Sequence, residues 1–358
     1  MMAQPFDPVA GALQGTAIPV LDDGSGRLAF SSAGDVLYTL RPASNNSTWP
    51  LRWLQPDGTM ESLLETPGNY SYPRLSPDGN LLAVTVDNYL PSEARLLVYD
   101  WRNNRRLPLP LAEKGQVSGG AVWTPDSQNV IWATPLANGT RRFLWKRADG
   151  SGQVHTLEEG TTGFPMSISP LGTSLAVTGN GGAETRLDLW VAPLDLTTPG
   201  EMKLGEVEPL VQLPGQQGAA VFSPDEQWVA YTSNESGERE VYVQRFPGGD
   251  GRRKVSDGGG GFPRWSSNGR QLLFYGNGHI MSVDYQANGD VFVADKPHEW
   301  SATSIPAVRN DDSWDLAPKG DRVVVVPLAD APAVQGPTKV AYLTHFFDEL
   351  RRKVPIGK

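Results

Sequence analysis

His298, Glu299, Asp311 and Asp312 are the residues of this chain whose types and spacing best suit chemistry. Carboxylate oxygens suit a hard divalent cation such as Ca²⁺, which polarises an ester or phosphoryl oxygen toward attack. Asp311, Asp312 and Glu299 are then the candidate ligands, and Asp312, Glu299 and His298 the candidate catalytic groups of a phosphotriesterase, lactonase or esterase. A second constellation points to recognition. Tyr70, Tyr72, Phe164, Phe262 and Trp314 are spread widely along the sequence, yet gathered at one mouth they would hold a peptide or an apolar ligand, with polar loops supplying hydrogen bonds. Bland readings stand beside both: carboxylates in loops are commonly solvated, and aromatics at strand starts commonly pack a core.

Other chemistries fall away quickly. The chain has 358 residues and no cysteine, which removes disulfides, thiolate catalysis and Cys-ligated zinc or iron–sulfur sites. There is no G-x-S-x-G elbow, HExxH, P-loop or EF-hand loop, and the four histidines, at 155, 279, 298 and 345, are scattered. A formal net charge of −9, with no basic cluster longer than Arg351–Lys353, argues against nucleic acid as a partner. No stretch approaches eighteen apolar residues and the N-terminus lacks the order of a signal peptide, so no membrane partner and a cytoplasmic location are expected for the chain as written.

Both constellations must be positioned by a repeat. The stretch SYPRLSPDGNLLAVTVD, Ser71 to Asp87, joins a short strand to a fully apolar one through a Ser-Pro-Asp-Gly turn. Pro77 presets φ, Asp78 bonds its own backbone, and Gly79 takes a positive φ. Similar units recur as FSSAGDVLYTL (Phe30–Leu40), WTPDSQNVIWAT (Trp123–Thr134), ISPLGTSLAVTG (Ile168–Gly179), FSPDEQWVAYTS (Phe222–Ser233), WSSNGRQLLFYG (Trp265–Gly276) and LAPKGDRVVVVP (Leu316–Pro327). The steps between them run from 43 to 54 residues, room for four short strands each, a period that belongs to β-propeller blades.

Seven copies predict an all-β propeller of seven four-stranded blades, with six as the alternative, in a single domain over 1–358. The expected blades are 23–68, 69–115, 116–161, 162–214, 215–258, 259–303 and 304–345. The seventh lacks a fourth strand, and pairing a spare N-terminal strand, Gly15–Leu21 within 1–22, against it would close the ring and remove open sheet edges. A short helical tail is expected over 345–353. In such a ring the loops from fourth to first strands, and from second to third strands, share one face around the channel, where ligands bind. Both constellations fall on that face. The run Asp257–Gly261 also falls there and offers backbone amides to an anion, though without a helix behind it.

SPDG, TPDS and SPDE followed by apolar strands resemble the repeats of TolB-like (WD40-like) propellers. With AQPFDP, YSYPRLSPDG, FSPDEQWVAYTSNESGEREVYVQRFPG, GRRKVSDGGGGFPRWSSNGRQLLFY and FFDELRRKVP, the chain resembles the propeller found C-terminal to many bacterial serine/threonine protein kinases. That resemblance covers essentially the whole chain. It implies a sensor or interaction module that acts as a monomer on a peptide, protein or small-molecule ligand. Phosphotransfer is not implied, since no VAIK lysine strand, HRD or DFG is present. The opening residues have the rhythm of a repeat already under way, like Ile280–Trp300. An extracytoplasmic location is therefore expected if the chain is a piece of a membrane-anchored kinase-like protein.

Overall fold

The repeated turns close as their residues dictate. In the computed structural model Gly79 N–H donates to Ser76 O at 2.7 Å, and the Ser76 hydroxyl bridges to Asp78 Oδ1 at 2.6 Å. The same backbone bond recurs at Ser127, Gly172, Glu226, Gly269 and Gly320. Ser127 and Glu226 take the positive φ that glycine takes elsewhere. The structure describes residues 50–64, 70–86, 94–103, 105–107, 118–181, 187–248, 251–305 and 312–327. Beyond these it describes strand positions within 2–40 and 339–343, and two helical positions, 348 and 352, of the expected helical tail.

The chain divides into two compact units, Thr48–Asp330 and Met1–Ser47 with Ala331–Lys358. The larger is a β-propeller. Its first five blades follow the sequence: blade I over Tyr70–Leu107, II over Ser118–Thr161, III over Phe164–Val211, IV over Gln217–Lys254 and V over Gly261–Glu299. In each, the first strand lies innermost and neighbours the first strands of the adjoining blades. Blades III and V carry an extra pairing, Lys203–Leu204 and Val291–Ala294, on the outward extension of a long third strand. These insertions account for the two longest repeat steps.

Blade VI is composite, and it corrects the expected count of seven to six. Trp314–Leu316 and Val323–Val325 supply its inner strands, while Arg52–Leu54 and Met60–Ser62 supply the outer pair, in the register Val323↔Leu54, Val324↔Trp53 and Val325↔Arg52. The two strands that follow the first repeat copy thus complete the last one. The first copy's own strands, Leu28–Phe30 and Val36–Leu40, pair instead with Lys339–Leu343 in the smaller unit. The expected closing strand also goes elsewhere, since Ile18–Pro19 pairs with Met2–Ala3. Ring closure therefore rests on residues 52–62.

Six apolar clusters hold the ring, one at each junction between neighbouring blades. Leu82 and Val84 pack toward blade VI with Trp53 and Val324, whereas Ala83 packs toward blade II with Trp132. Ile131, Leu175, Val229, Leu272 and Val323 continue the series around the ring. Because every second strand is covered on both faces, alternation is lost and the strand reads as a continuous apolar run. Trp53, Trp132, Trp145 and Trp228 are buried in these clusters. No helix among the described residues is long and apolar enough to cross a membrane.

Candidate functional site

The innermost strands share a local irregularity that shapes the channel mouth. In blades I to V their pairing with the second strand shifts register near the start. Such a bulge bends the strand and re-aims the side chain it carries. The residue beside the shift has a left-handed backbone in four blades: Tyr72 (φ 52°), Gly119 (φ 78°), Ala219 (φ 52°) and Phe262 (φ 56°). An L-residue there sets its Cβ against a carbonyl, at roughly 1–2 kcal/mol. Glycine escapes that cost, and only blade II uses it. Blades I and V instead place a bulky ring, Tyr72 and Phe262, at the strained position.

Those rings are half-buried. Tyr72 lies over Gly120, where an added Cβ would come within 3.2 Å of the Tyr72 Cβ. Phe164 lies beside Gly119 on the next blade and carries the Arg141 guanidinium 4.0 Å above its ring centroid. Arg239 stands 5.5 Å from the centroid of Phe262, and Phe262 N–H donates to Thr232 Oγ1 at 2.9 Å. Cation–π pairs of this kind draw a guanidinium to the rim. The other two predicted aromatics are core: Tyr70 is 4% exposed and Trp314 2% exposed.

Deeper along the same strands lies a cluster of four charged side chains. Arg74 follows Tyr72-Pro73 on blade I and Arg264 follows Phe262-Pro263 on blade V; between these blades, blade VI supplies Asp315 and, just before its first strand, Asp312. Each arginine anchors itself to the carbonyl of the proline before it, at 2.7 Å for Arg74 and 2.8 Å for Arg264. Asp315 accepts from Arg264 Nε at 2.7 Å and from Leu75 N–H at 2.8 Å. Asp312 gives one oxygen to each arginine, Oδ2 to Arg74 Nη2 at 2.5 Å and Oδ1 to Arg264 Nη2 at 2.9 Å. Burial pushes the Arg74 guanidinium below its ordinary pKa and the like charge of Arg264 adds to this. Burial opposes Arg264 too, but Asp312 and Asp315 outweigh it and hold it above its ordinary value. Both stay cationic wherever the fold survives.

At the equivalent inner-strand position blades II, III and IV carry Val122, Ser167 and Val221. One half of the channel wall is charged and the other nearly apolar. Nothing in the periodicity singles out Arg74, Arg264 or Asp315. The signal was a parallel between two triplets, Tyr72-Pro73-Arg74 and Phe262-Pro263-Arg264.

The acidic candidates are dispersed. His298 and Glu299 form the fourth, outermost strand of blade V, paired with Ser282 and Met281 and exposed. Three strand spacings, about 14 Å, separate that strand from the innermost one. Asp311 lies outside the described residues. Asp312 spends both oxygens on guanidinium groups, so a divalent cation there would have to displace an arginine. Among the described residues no three His, Asp or Glu side chains gather as a cation site. Among the described residues the candidate donors, Asp312 and Glu299, are not brought together to hold a divalent cation.

The glycine loop after blade IV is likewise engaged. Gly259 N–H donates to the buried Glu240 carboxylate at 3.2 Å and Gly260 N–H to Arg239 O at 2.8 Å. Glu240 also accepts from the Ser256 hydroxyl and from Lys254 Nζ at 3.2 Å. Two of the amides that an anion would use, those of Gly259 and Gly260, are therefore taken. Beside this loop, between blades IV and V on the channel face, a cavity of about 310 Å³ is lined by Glu238, Arg239, Gly260, Tyr275 and Asn277.

No protein-family model matches the chain, and no curated protein matches it. Solved structures do. A putative TolB from Agrobacterium tumefaciens superposes with a TM-score of 0.56 at 16% identity, covering 78% of this chain and 98% of that one. Hydrazine synthase from Kuenenia stuttgartiensis gives 0.54 at 13% identity over 93% and 99% of the two chains. An oligogalacturonate lyase in complex with manganese gives 0.51 at 13% over 87% and 100%. At these identities the likeness is one of fold, a β-propeller that the putative TolB shares.

Proposed function

We propose that the chain is a recognition module that takes a peptide, protein or small-molecule ligand at its channel mouth, as the kinase-associated propellers it resembles would. The observation that carries this reading is the pair of rings, Tyr72 and Phe262, held at positive φ on the innermost strands. Strain of this kind persists where the surroundings enforce it and collects at ligand clamps. A bulge alone would be satisfied by glycine, as at Gly119. Aromatic rings rimmed by Arg141 and Arg239 form an amphipathic mouth of the sort that recognition surfaces favour.

The test is a fragment and peptide screen by ligand-observed NMR on the full chain. Hits are then re-measured on Tyr72→Gly and Phe262→Gly. Binders that weaken at least tenfold on one of these substitutions support the reading, and binders indifferent to both refute it.

A further inference from the structure

We infer that Arg74 and Arg264 form a carboxylate clamp that Asp312 fills in the free protein, and that a ligand carboxylate takes its place. The inference rests on recognition at the channel mouth and names the chemistry recognised there. Three features carry it. First, the two guanidiniums are held without help from Asp312. Arg74 is fixed by Pro73 O and reaches Trp314 O at 3.4 Å, while Arg264 is fixed by Pro263 O and Asp315. Removing Asp312 leaves two pre-oriented N–H donors aimed at one point, which is how arginine pairs recognise carboxylates.

Second, the two aspartates are not equivalent. Asp315 sits within a strand and accepts a backbone amide across the junction of blades VI and I, so it belongs to the frame. Asp312 precedes the strand, and among the described residues its oxygens accept from the two arginines alone. Its side chain is 16% exposed, against 10% for Asp315. Third, each clamp arginine lies two residues beyond a strained ring, so a carboxylate attached to an apolar body would meet both features at once. The clamp accepts a chain-end carboxylate or an acidic side chain alike, because both present the same planar pair of oxygens.

An internal occupant lowers apparent affinity by the fraction of time it leaves the clamp empty. If Asp312 fills the clamp at least nine-tenths of the time, its removal tightens carboxylate binding about tenfold or more. Calorimetric or NMR titrations on the full chain use four probes: acetate, N-acetyl-phenylalanine, aspartate blocked at both backbone ends, and N-acetyl-phenylalaninamide, which lacks a carboxylate. The second and third separate a chain end from an acidic side chain.

Asp312→Ala is expected to bind acetate at least ten times more tightly than wild type, and adding Arg74→Met is expected to abolish the gain. Asp312→Asn, which keeps the shape and removes the charge, serves if the alanine variant does not fold. Equal binding of acid and amide, no gain on losing Asp312, or a gain that survives Arg74→Met would each overturn the clamp. If the acid binds and Tyr72→Gly and Phe262→Gly leave it unchanged, the clamp stands and the aromatic mouth falls. If the amide binds as well as the acid but needs the rings, the mouth stands and the clamp falls.

Discussion

Replacing Phe262 by alanine and by glycine separates the ring from the strain beneath it. At φ 56° the residue sits in the left-handed region. Both substitutions delete a half-buried ring, a loss of about 1 kcal/mol of apolar burial, and the Arg239 contact, about 0.5–1 kcal/mol. The alanine variant keeps the Cβ and hence the clash, so it should lose about 2 kcal/mol. Glycine relieves roughly 1 kcal/mol of that. The glycine variant is therefore expected to be the more stable by about 1 kcal/mol, or roughly 2 °C in Tm for a domain of this size. In an ordinary strand the order reverses, with glycine below alanine by about 0.5–1 kcal/mol. Thr156, exposed in the fourth strand of blade II, supplies that control. Urea denaturation followed by tryptophan fluorescence reads all four variants. A Phe262→Gly midpoint at or below that of Phe262→Ala would refute the claim that the position is strained, and with it the main support for a functional mouth.

Further outcomes follow from the same geometry. Trp53→Ala, which opens the junction at the composite blade where Trp53 meets Trp101 at 5.2 Å and Arg322 at 4.1 Å, should cost about 3–5 kcal/mol in a denaturant titration. Asp315→Asn should cost about 3 kcal/mol and Asp312→Asn clearly less, because only the first also disturbs a backbone amide; equal losses would contradict the distinction. Burial pushes the Asp78 carboxyl up, but donors from Ser76 and Asn80 outweigh it and hold its pKa below the usual 3.8; Asp149 is lowered mainly by Arg147. The stability these groups add is present above about pH 4 and is lost as pH falls through their depressed values, so Tm should drop on acidification below pH 4 and Asp78→Asn should flatten that drop. EDTA should leave both Tm and any ligand affinity unchanged, since Asp312 is already neutralised by arginine; a shift larger than 2 °C, restored by Ca²⁺, would revive a cation site.

What was legible in the sequence is what local chemistry decides. Ser76, Asp78 and Gly79 encode their turn within four residues, and Leu81–Val86 announces a strand covered on both sides. The blade count was not legible in that way. Arg52–Leu54 follows the first repeat copy and looks as if it belongs to it, yet its partner is Val323–Val325, and nothing local distinguishes the two pairings. Trp53 and Leu54 decide the matter by packing at junctions on either side of blade VI. The charged cluster was hidden for the same reason, since Arg74 and Asp312 stand 238 residues apart. His298 and Glu299, expected on the same channel-side loop as Asp311 and Asp312, are carried to the outside of blade V by the strand that holds them.

A buried cluster of two arginines and two aspartates is not what stability alone would select. Taking charges out of water costs several kcal/mol per ion, and well-packed apolar groups of similar volume usually do as well or better. This chain demonstrates the alternative itself, because blades II, III and IV fill the same channel position with Val122, Ser167 and Val221. Ring closure explains part of the exception. Blade VI is assembled from the two ends of the propeller unit, and Asp315, bound to Leu75 N–H and Arg264, ties it to blades I and V at once. A single aspartate would serve that purpose. Asp312 adds a second carboxylate that supports no backbone group among the described residues and meets only the outward donors of two arginines already fixed from behind. Closure accounts for Asp315, and the proposed carboxylate clamp is what accounts for Asp312.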